Sequence, residues 1–106
     1  MFARVTQLEI DTVRMDMSAA LEMYKAEVMP ELRLQAGYLG VVVLTTEEGK
    51  GTLISLWQTA EDADAGGDAR WYSEVLEKYV TLFRSPPGRD RYEVAFAEMP
   101  IGMPTS

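Results

Sequence analysis

The chain has 106 residues, a formal net charge of −7 and 47% hydrophobic residues, which fits one globular domain with little room for a second. It contains no Cys, His or Asn, so a single copy cannot build a disulfide, a thiolate nucleophile, a Cys/His zinc site, a Ser-His-Asp triad or an imidazole-ligated haem. The acidic balance and the scattered placement of its ten basic residues argue against nucleic acid, whose backbone is bound mainly by clustered Lys and Arg.

Residues 2–10, Phe-Ala-Arg-Val-Thr-Gln-Leu-Glu-Ile, read as a strand. Met17, Leu21, Tyr24, Val28 and Leu32 then recur at helical spacing, with Asp16 or Ser18 as the N-cap. Pro30 falls inside that pattern, removes a backbone donor and predicts a kink or division near Met29. Gln35-Ala36-Gly37 ends the helix, with Gly37 suited to a left-handed C-cap. Tyr38–Thr45 is a strand apolar on both faces, with Leu39, Val41 and Val43 on one side and Val42 and Leu44 on the other. Glu47-Glu48-Gly49-Lys50-Gly51 makes a hairpin connection to a strand over 52–58. In that strand Ile54 and Leu56 face one way, and Leu53, Ser55 and Trp57 the other.

Thr59 opens a second helix as N-cap, with Asp62 three positions on. Gly66-Gly67 is expected to interrupt it, and Asp68 to recap a segment with Trp71 or Tyr72, Val75, Leu76, Tyr79, Leu82 and Phe83 along one face. Ser85-Pro86-Pro87-Gly88 stops that helix. Residues 91–98 read as the fourth strand, with Tyr92, Val94 and Phe96 alternating against Arg91, Glu93, Ala95 and Ala97. Residues 1–98 form the expected domain, and 99–106 an extended tail. No run approaches the roughly 18 apolar residues of a membrane helix, and the first residues lack the pattern of a signal peptide, so a cytoplasmic location is expected.

The predicted order is β-α-β-β-α-β: an α+β, ferredoxin-like arrangement with two helices on one face of a four-stranded antiparallel sheet. The middle strands are apolar on both sides, as in a sheet covered on both faces, yet the chain supplies no third layer. A second copy packed on the open face is the expected cover, giving a homodimer; a monomer with an exposed apolar face is the alternative.

Two stretches carry a resemblance. Pro30-x-Leu32-x-x-x-x-Gly37-Tyr38-x-Gly40 leads from helix to strand, and Ser55-x-Trp57-x-Thr59-x-Glu61-Asp62-Ala63 from strand to helix. With the spacing of all six elements, they make the chain resemble the antibiotic biosynthesis monooxygenase-like proteins of the dimeric α+β barrel superfamily, to about residue 98. The resemblance implies a barrel formed with a partner's sheet and a small cavity between sheet and helices. Some members oxidise aromatic polyketide quinols with dioxygen and no cofactor, others degrade haem, and many have no assigned activity. The haem-degrading pattern of a strand-1 Asn, a Trp opening helix 2 and a later His is not matched here. Thr6 or Gln7, Gly66-Gly67 and no His stand in those places. The quinol-oxidising members use Asn, Trp, Tyr and Arg around an aromatic substrate, and here Gln7 offers the nearest amide.

The implied function is a cofactor-independent monooxygenase acting on a small aromatic or quinol compound. Gln7, Trp57 and Tyr72 are the candidate catalytic residues, and Arg4, Tyr38 and Trp71 the candidate substrate-binding ones. Arg4 could stabilise a phenolate, Gln7 orient a carbonyl and Tyr72 donate a hydrogen bond in a water-poor pocket. Each has a structural alternative. Trp57 can be plain core, Tyr38 can cap the sheet edge, and Arg4 can pair with an acidic residue at the interface. Adjacent Trp71 and Tyr72 cannot share a helix face, so one is expected to reach inward and the other outward or to the dimer seam. Arg4 and Gln7 have opposite strand parity, so at most one faces the helices unless a bulge intervenes. The pairs Glu47-Glu48 and Glu61-Asp62 read as hairpin solvation and helix-dipole complements, and no acidic cluster has calcium-loop spacing. No cofactor or metal is expected. A non-catalytic binding protein for a small apolar ligand, and a dimerisation module whose cavity is filled by its own aromatics, are the rival functions; a pocket of a few hundred Å³ would set the first two apart from the third.

Overall fold

The computed structural model describes residues 1–67, 70–78 and 88–98. Strand β1 (Phe2–Glu9) leads to helix α1 (Met17–Glu27) and the short α2 (Met29–Leu32). Strands β2 (Tyr38–Thr45) and β3 (Lys50–Trp57) form a hairpin, followed by α3 (Ala60–Gly67), α4 (Arg70–Lys78) and β4 (Gly88–Glu93). The sheet order is β2-β3-β1-β4 and every pairing is antiparallel, as a ferredoxin-like α+β fold requires.

Local chemistry sets most boundaries. Asp16 caps α1, its side chain accepting from the Ala19 N–H at 2.8 Å. Thr59 Oγ1 accepts from the Asp62 N–H at 3.0 Å at the start of α3, as the sequence predicts. Pro30 lies in the first turn of α2, where its missing donor costs nothing, and the helix divides at Val28. Gly37 has φ +76°, the left-handed conformation that favours glycine. A β-carbon there would also meet the Asp62 carboxylate at 2.1 Å, so this turn tolerates no side chain on either count.

Helix α3 ends at Gly67 and a second segment, α4, begins at Arg70, so two helical segments flank the end of the glycine pair; residues 68 and 69 lie outside the described residues. Gly66 also serves packing, because a β-carbon there would lie 2.2 Å from Trp57 Cη2. Two expectations are corrected. The regular alternation expected along β2 is broken by an irregularity between Tyr38 and Gly40, so Tyr38 and Val41 both reach the core cluster while Leu39 is exposed. Strand β4 spans Gly88–Glu93 rather than 91–98. Its ladder with β1 ends where Glu93 meets Phe2. Val94 adds one bond, from its N–H to the Met1 carbonyl at 3.0 Å. The expected cap at Asp68, the side chain of Leu76, residues Tyr79, Leu82 and Phe83, the 85–87 stop and the tail from Met99 lie outside the described residues.

The core centres on Leu32, Trp57 and Ala63, with Phe2, Met29, Tyr38, Val41 and Trp71 packed against it. On the far face of the sheet Leu39, Leu44 and Tyr92 are about half exposed, and Phe96 beyond β4 is 83% exposed. Among the described residues no helix is long and apolar enough to cross a membrane.

Candidate functional site

Between the helices and the sheet lies a cavity of about 100 Å³. Its floor comes from β1, β2 and β3 through Leu8, Val43 and Leu53, and its roof from α1 and α4. The exposed wall is almost wholly carbon, although Thr45, Glu27 and the tyrosines Tyr24 and Tyr72 contribute to it. A second void of about 20 Å³ adjoins it, roomy enough for about one water-sized group. Tyr24, Leu53 and Tyr72 line both spaces, so they form the partition between them. The polar residues Arg4, Thr6 and Ser55 are met on the far side of that partition. The result is a space with one apolar end and one polar end.

The sequence-predicted site residues divide by strand parity. Arg4 faces the helices and lines the small void. Gln7, of opposite parity, is exposed and lines neither space. A catalytic role for Gln7 in this cavity is therefore at odds with its position on the open face. Arg4 is mostly buried, at 14% side-chain exposure, and sits 3.6 Å from an Asp64 carboxylate oxygen. The other Asp64 oxygen accepts from Arg91, the cross-strand neighbour of Arg4. One carboxylate on α3 thus holds two guanidinium groups from β1 and β4 against the helix. Arg4 does have an acidic partner, but it is Asp64 on α3 of the same chain and not a residue at an interface.

Trp57 is 1% exposed, and its indole N–H donates to Ser55 Oγ at 2.9 Å. It lines the small void but not the larger cavity, so it is both core and wall. Tyr38 meets it edge to face, with ring centroids 5.7 Å apart, and lines neither space. Burial raises the Tyr38 phenol above its ordinary pKa, with Arg33 opposing. Tyr72 is buried and reaches both spaces, whereas Trp71 is half-buried and packs on the Leu32–Trp57–Ala63 cluster. The two rings touch edge to face at 5.4 Å, so the expected division into one inward and one outward residue gives way to one cavity residue and one core-edge residue. The Trp71 indole N–H is buried and has no hydrogen-bond partner among the described residues.

Sequence reasoning missed Tyr24. It entered as one apolar position in a helical stripe, yet its ring lies on the partition. Burial pushes its phenol far above the ordinary tyrosine value, with smaller contributions from Tyr72 and Tyr38. A tyrosine carried on the inward face of a helix has to place its hydroxyl somewhere, and that was the available signal. Among the described residues no group of three or more acidic side chains is arranged to hold a metal ion. The cavity is smaller than the few hundred Å³ that open ligand binding would call for, but it is not filled by its own aromatic rings.

No protein-family model matches the chain, and no curated protein matches it by sequence. Solved structures do. A protein of unknown function from Nitrosomonas europaea is 20% identical with a TM-score of 0.73, over 95% of each chain. A Deinococcus radiodurans protein named as a candidate antibiotic biosynthesis monooxygenase is 14% identical with a TM-score of 0.74, over 96% of this chain and all of that one. A Streptomyces coelicolor monooxygenase in complex with nanaomycin D is 17% identical with a TM-score of 0.73, over 93% of this chain and 91% of that one. Identities this low speak to architecture alone, and on that footing the chain has the fold of the antibiotic biosynthesis monooxygenase-like structures.

Proposed function

We propose that the chain is a cofactor-independent monooxygenase acting on a small aromatic or quinol compound held in the helix–sheet cavity. The observation that carries this reading is the partition formed by Tyr24 and Tyr72, with an apolar cavity on one side and Arg4 on the other. An aromatic ring gains from leaving water for the carbon-lined end. A phenolate formed at the other end gains from the Arg4 charge and from a hydrogen bond donated by Tyr72, in a space with little water. Trp57 shapes the polar end, and Tyr38 and Trp71 hold it from behind. Gln7 takes no part.

The reaction balances without a cofactor when the substrate is the reductant. A dihydroxybenzene and O2 give a hydroxyquinone and water. One oxygen atom enters a ring C–H bond, and the other leaves as water with the two phenolic hydrogens. All four electrons come from the ring. Oxygen uptake with a panel of hydroquinones and anthrones tests this: the wild type and Gln7→Ala should consume oxygen, and Tyr72→Phe and Arg4→Gln should do so more slowly. No uptake above background with any substrate would refute catalysis. The carbon-lined wall also favours a second reading, a protein that holds the same ligand without transforming it, and binding without uptake would select that one.

The open face of the sheet pairs, in the same proposal, with a second copy. Leu39, Leu44, Tyr92 and Phe96 support it, since together they leave an apolar surface beside exposed strands. Light scattering at micromolar concentration should give twice the chain mass, and Leu44→Lys should halve it. A monomeric wild type would overturn the pairing.

A further inference from the structure

Asp64 lines neither space, yet it bears on what the polar end of the site can do. Arg4 carries its charge on a long flexible stem, and such a side chain left to itself swings its head group into water. Here it stays 14% exposed on the wall of the small void, beside Thr6, Ser55 and Trp57. Asp64 Oδ1 lies 3.6 Å from Arg4 Nη1. Asp64 Oδ2 accepts from Arg91 Nη1, so each oxygen of the carboxylate faces its own guanidinium and the rotation of the group is restrained.

Stability alone does not account for this cluster. Arg4 and Arg91 stand directly opposite each other in the β1–β4 register, and like charges in that relation repel. The Asp64–Arg91 pair is partly exposed on both sides, and pairs of that kind contribute little. What the arrangement does deliver is a fixed place for the Arg4 head group. Helix α3 sets the aim. Ala63 is fully buried in the core and Gly66 lies against Trp57, so packing on either side of Asp64 settles how the helix is turned toward β1 and β4.

We infer that Asp64 is a positioning residue: its carboxylate holds the Arg4 guanidinium at the polar end of the site, and Arg91 braces the carboxylate. Asp64 acts only through Arg4. The placement of Arg4 stands on the geometry alone, and its value to a phenolate rests on the function proposed above.

The test has a ligand-free arm and an activity arm. In the first, NMR follows rotation of the Arg4 guanidinium about its Cζ–Nε bond, the signal being assigned by its loss in Arg4→Lys. Asp64→Asn keeps the size of the side chain and removes its charge; rotation should quicken about threefold, the scale of a partly exposed ion pair. Asp64→Glu should restore most of the restraint, and Arg91→Gln should give a rate between those of the wild type and Asp64→Asn. Backbone amides of β1 and β3 should exchange with water at wild-type rates in all three variants. In the second arm, Asp64→Asn should lower kcat for oxygen uptake about threefold with KM little changed. It should add nothing to the loss already caused by Arg4→Gln, because the two act as one unit. Unchanged rotation in Asp64→Asn, or faster amide exchange throughout β1 and β3 in that variant, would overturn the inference. So would a raised kcat, or a further loss when Asp64→Asn is added to Arg4→Gln. The oxygenase reading fails separately: absence of uptake in the wild type removes it, and the rotation rates then decide the positioning by themselves.

Discussion

Replacing Gly66 by Ala tests the packing that holds the Trp57 end of the site together. On an ordinary helix the change stabilises, by about 1 kcal/mol, because Ala loses less backbone entropy than Gly. Here the added methyl would meet Trp57 Cη2, Cζ2 and Cζ3 at 2.2, 2.6 and 2.8 Å. Trp57 has nowhere to retreat, being 1% exposed and tied through its indole N–H to Ser55. Overpacking of a tight core costs about 1–3 kcal/mol, and three contacts this short put the cost at the upper end. Subtracting the propensity gain leaves Gly66→Ala less stable by about 2 kcal/mol. Urea denaturation followed by far-ultraviolet circular dichroism should show a midpoint lower by about 1 M or more. The melting temperature should fall by about 10 °C. The decisive arm is the same substitution in a Trp57→Phe background. Phenylalanine lacks the outer ring atoms that cause the collision, so Gly66→Ala should there be neutral or stabilising by up to about 1 kcal/mol. Equal destabilisation in both backgrounds, or a stabilised Gly66→Ala single variant, would refute the reasoning.

Asp64→Ala releases both Arg4 and Arg91; since Asp64 and Arg91 are partly exposed, at 44% and 41%, the loss should be about 0.5–1 kcal/mol. That loss should shrink in denaturation curves taken at 1 M salt, where charges are screened. Asp16→Ala removes the α1 cap and should cost about 1 kcal/mol by the same assay, with Asp16→Ser recovering most of it. Tyr24 and Tyr38 have phenol pKa values raised in the folded chain, so the folded state keeps their protons to higher pH than the unfolded one. Their contribution is therefore complete below the ordinary tyrosine value of 10.0 and is lost as pH rises beyond it. A spectrophotometric titration should show Tyr24 ionising last, and Tyr24→Phe should remove that final step.

Much of the fold was legible because its signals are local. The caps at Asp16 and Thr59, the division at Pro30 and the turn at Gly37 each follow from one residue's covalent chemistry. The places where the sequence misled involve partners distant along the chain. Gly66 reads only as a helix breaker, and its second role, leaving room for Trp57, shows only in the fold. Residues 94–98 keep a strand-like alternation, yet the β1–β4 ladder ends at the Phe2–Glu93 pair. The irregularity in β2 cannot be read from a run of valines that suits either face. The site was legible to the same degree. Strand parity separated Arg4 from Gln7, but a sheet apolar on both sides carries no label for the face that meets the helices. Tyr24 was hidden because a ring at a helical interval counts as apolar until its hydroxyl has to be placed.

The break at Val28, where one helix becomes two, separates two jobs that a continuous helix would have joined. Tyr24, Met17 and Leu21 on α1 belong to the cavity, and Leu32 on α2 belongs to the Trp57 cluster. No residue of α1 is fully buried, so side chains there can be exchanged without taking apart the cluster that holds the domain together. Drift in ligand preference is therefore cheap in this architecture. Lineages could reshape the roof of the cavity one substitution at a time, and a directed-evolution library confined to α1 should keep most of its members folded.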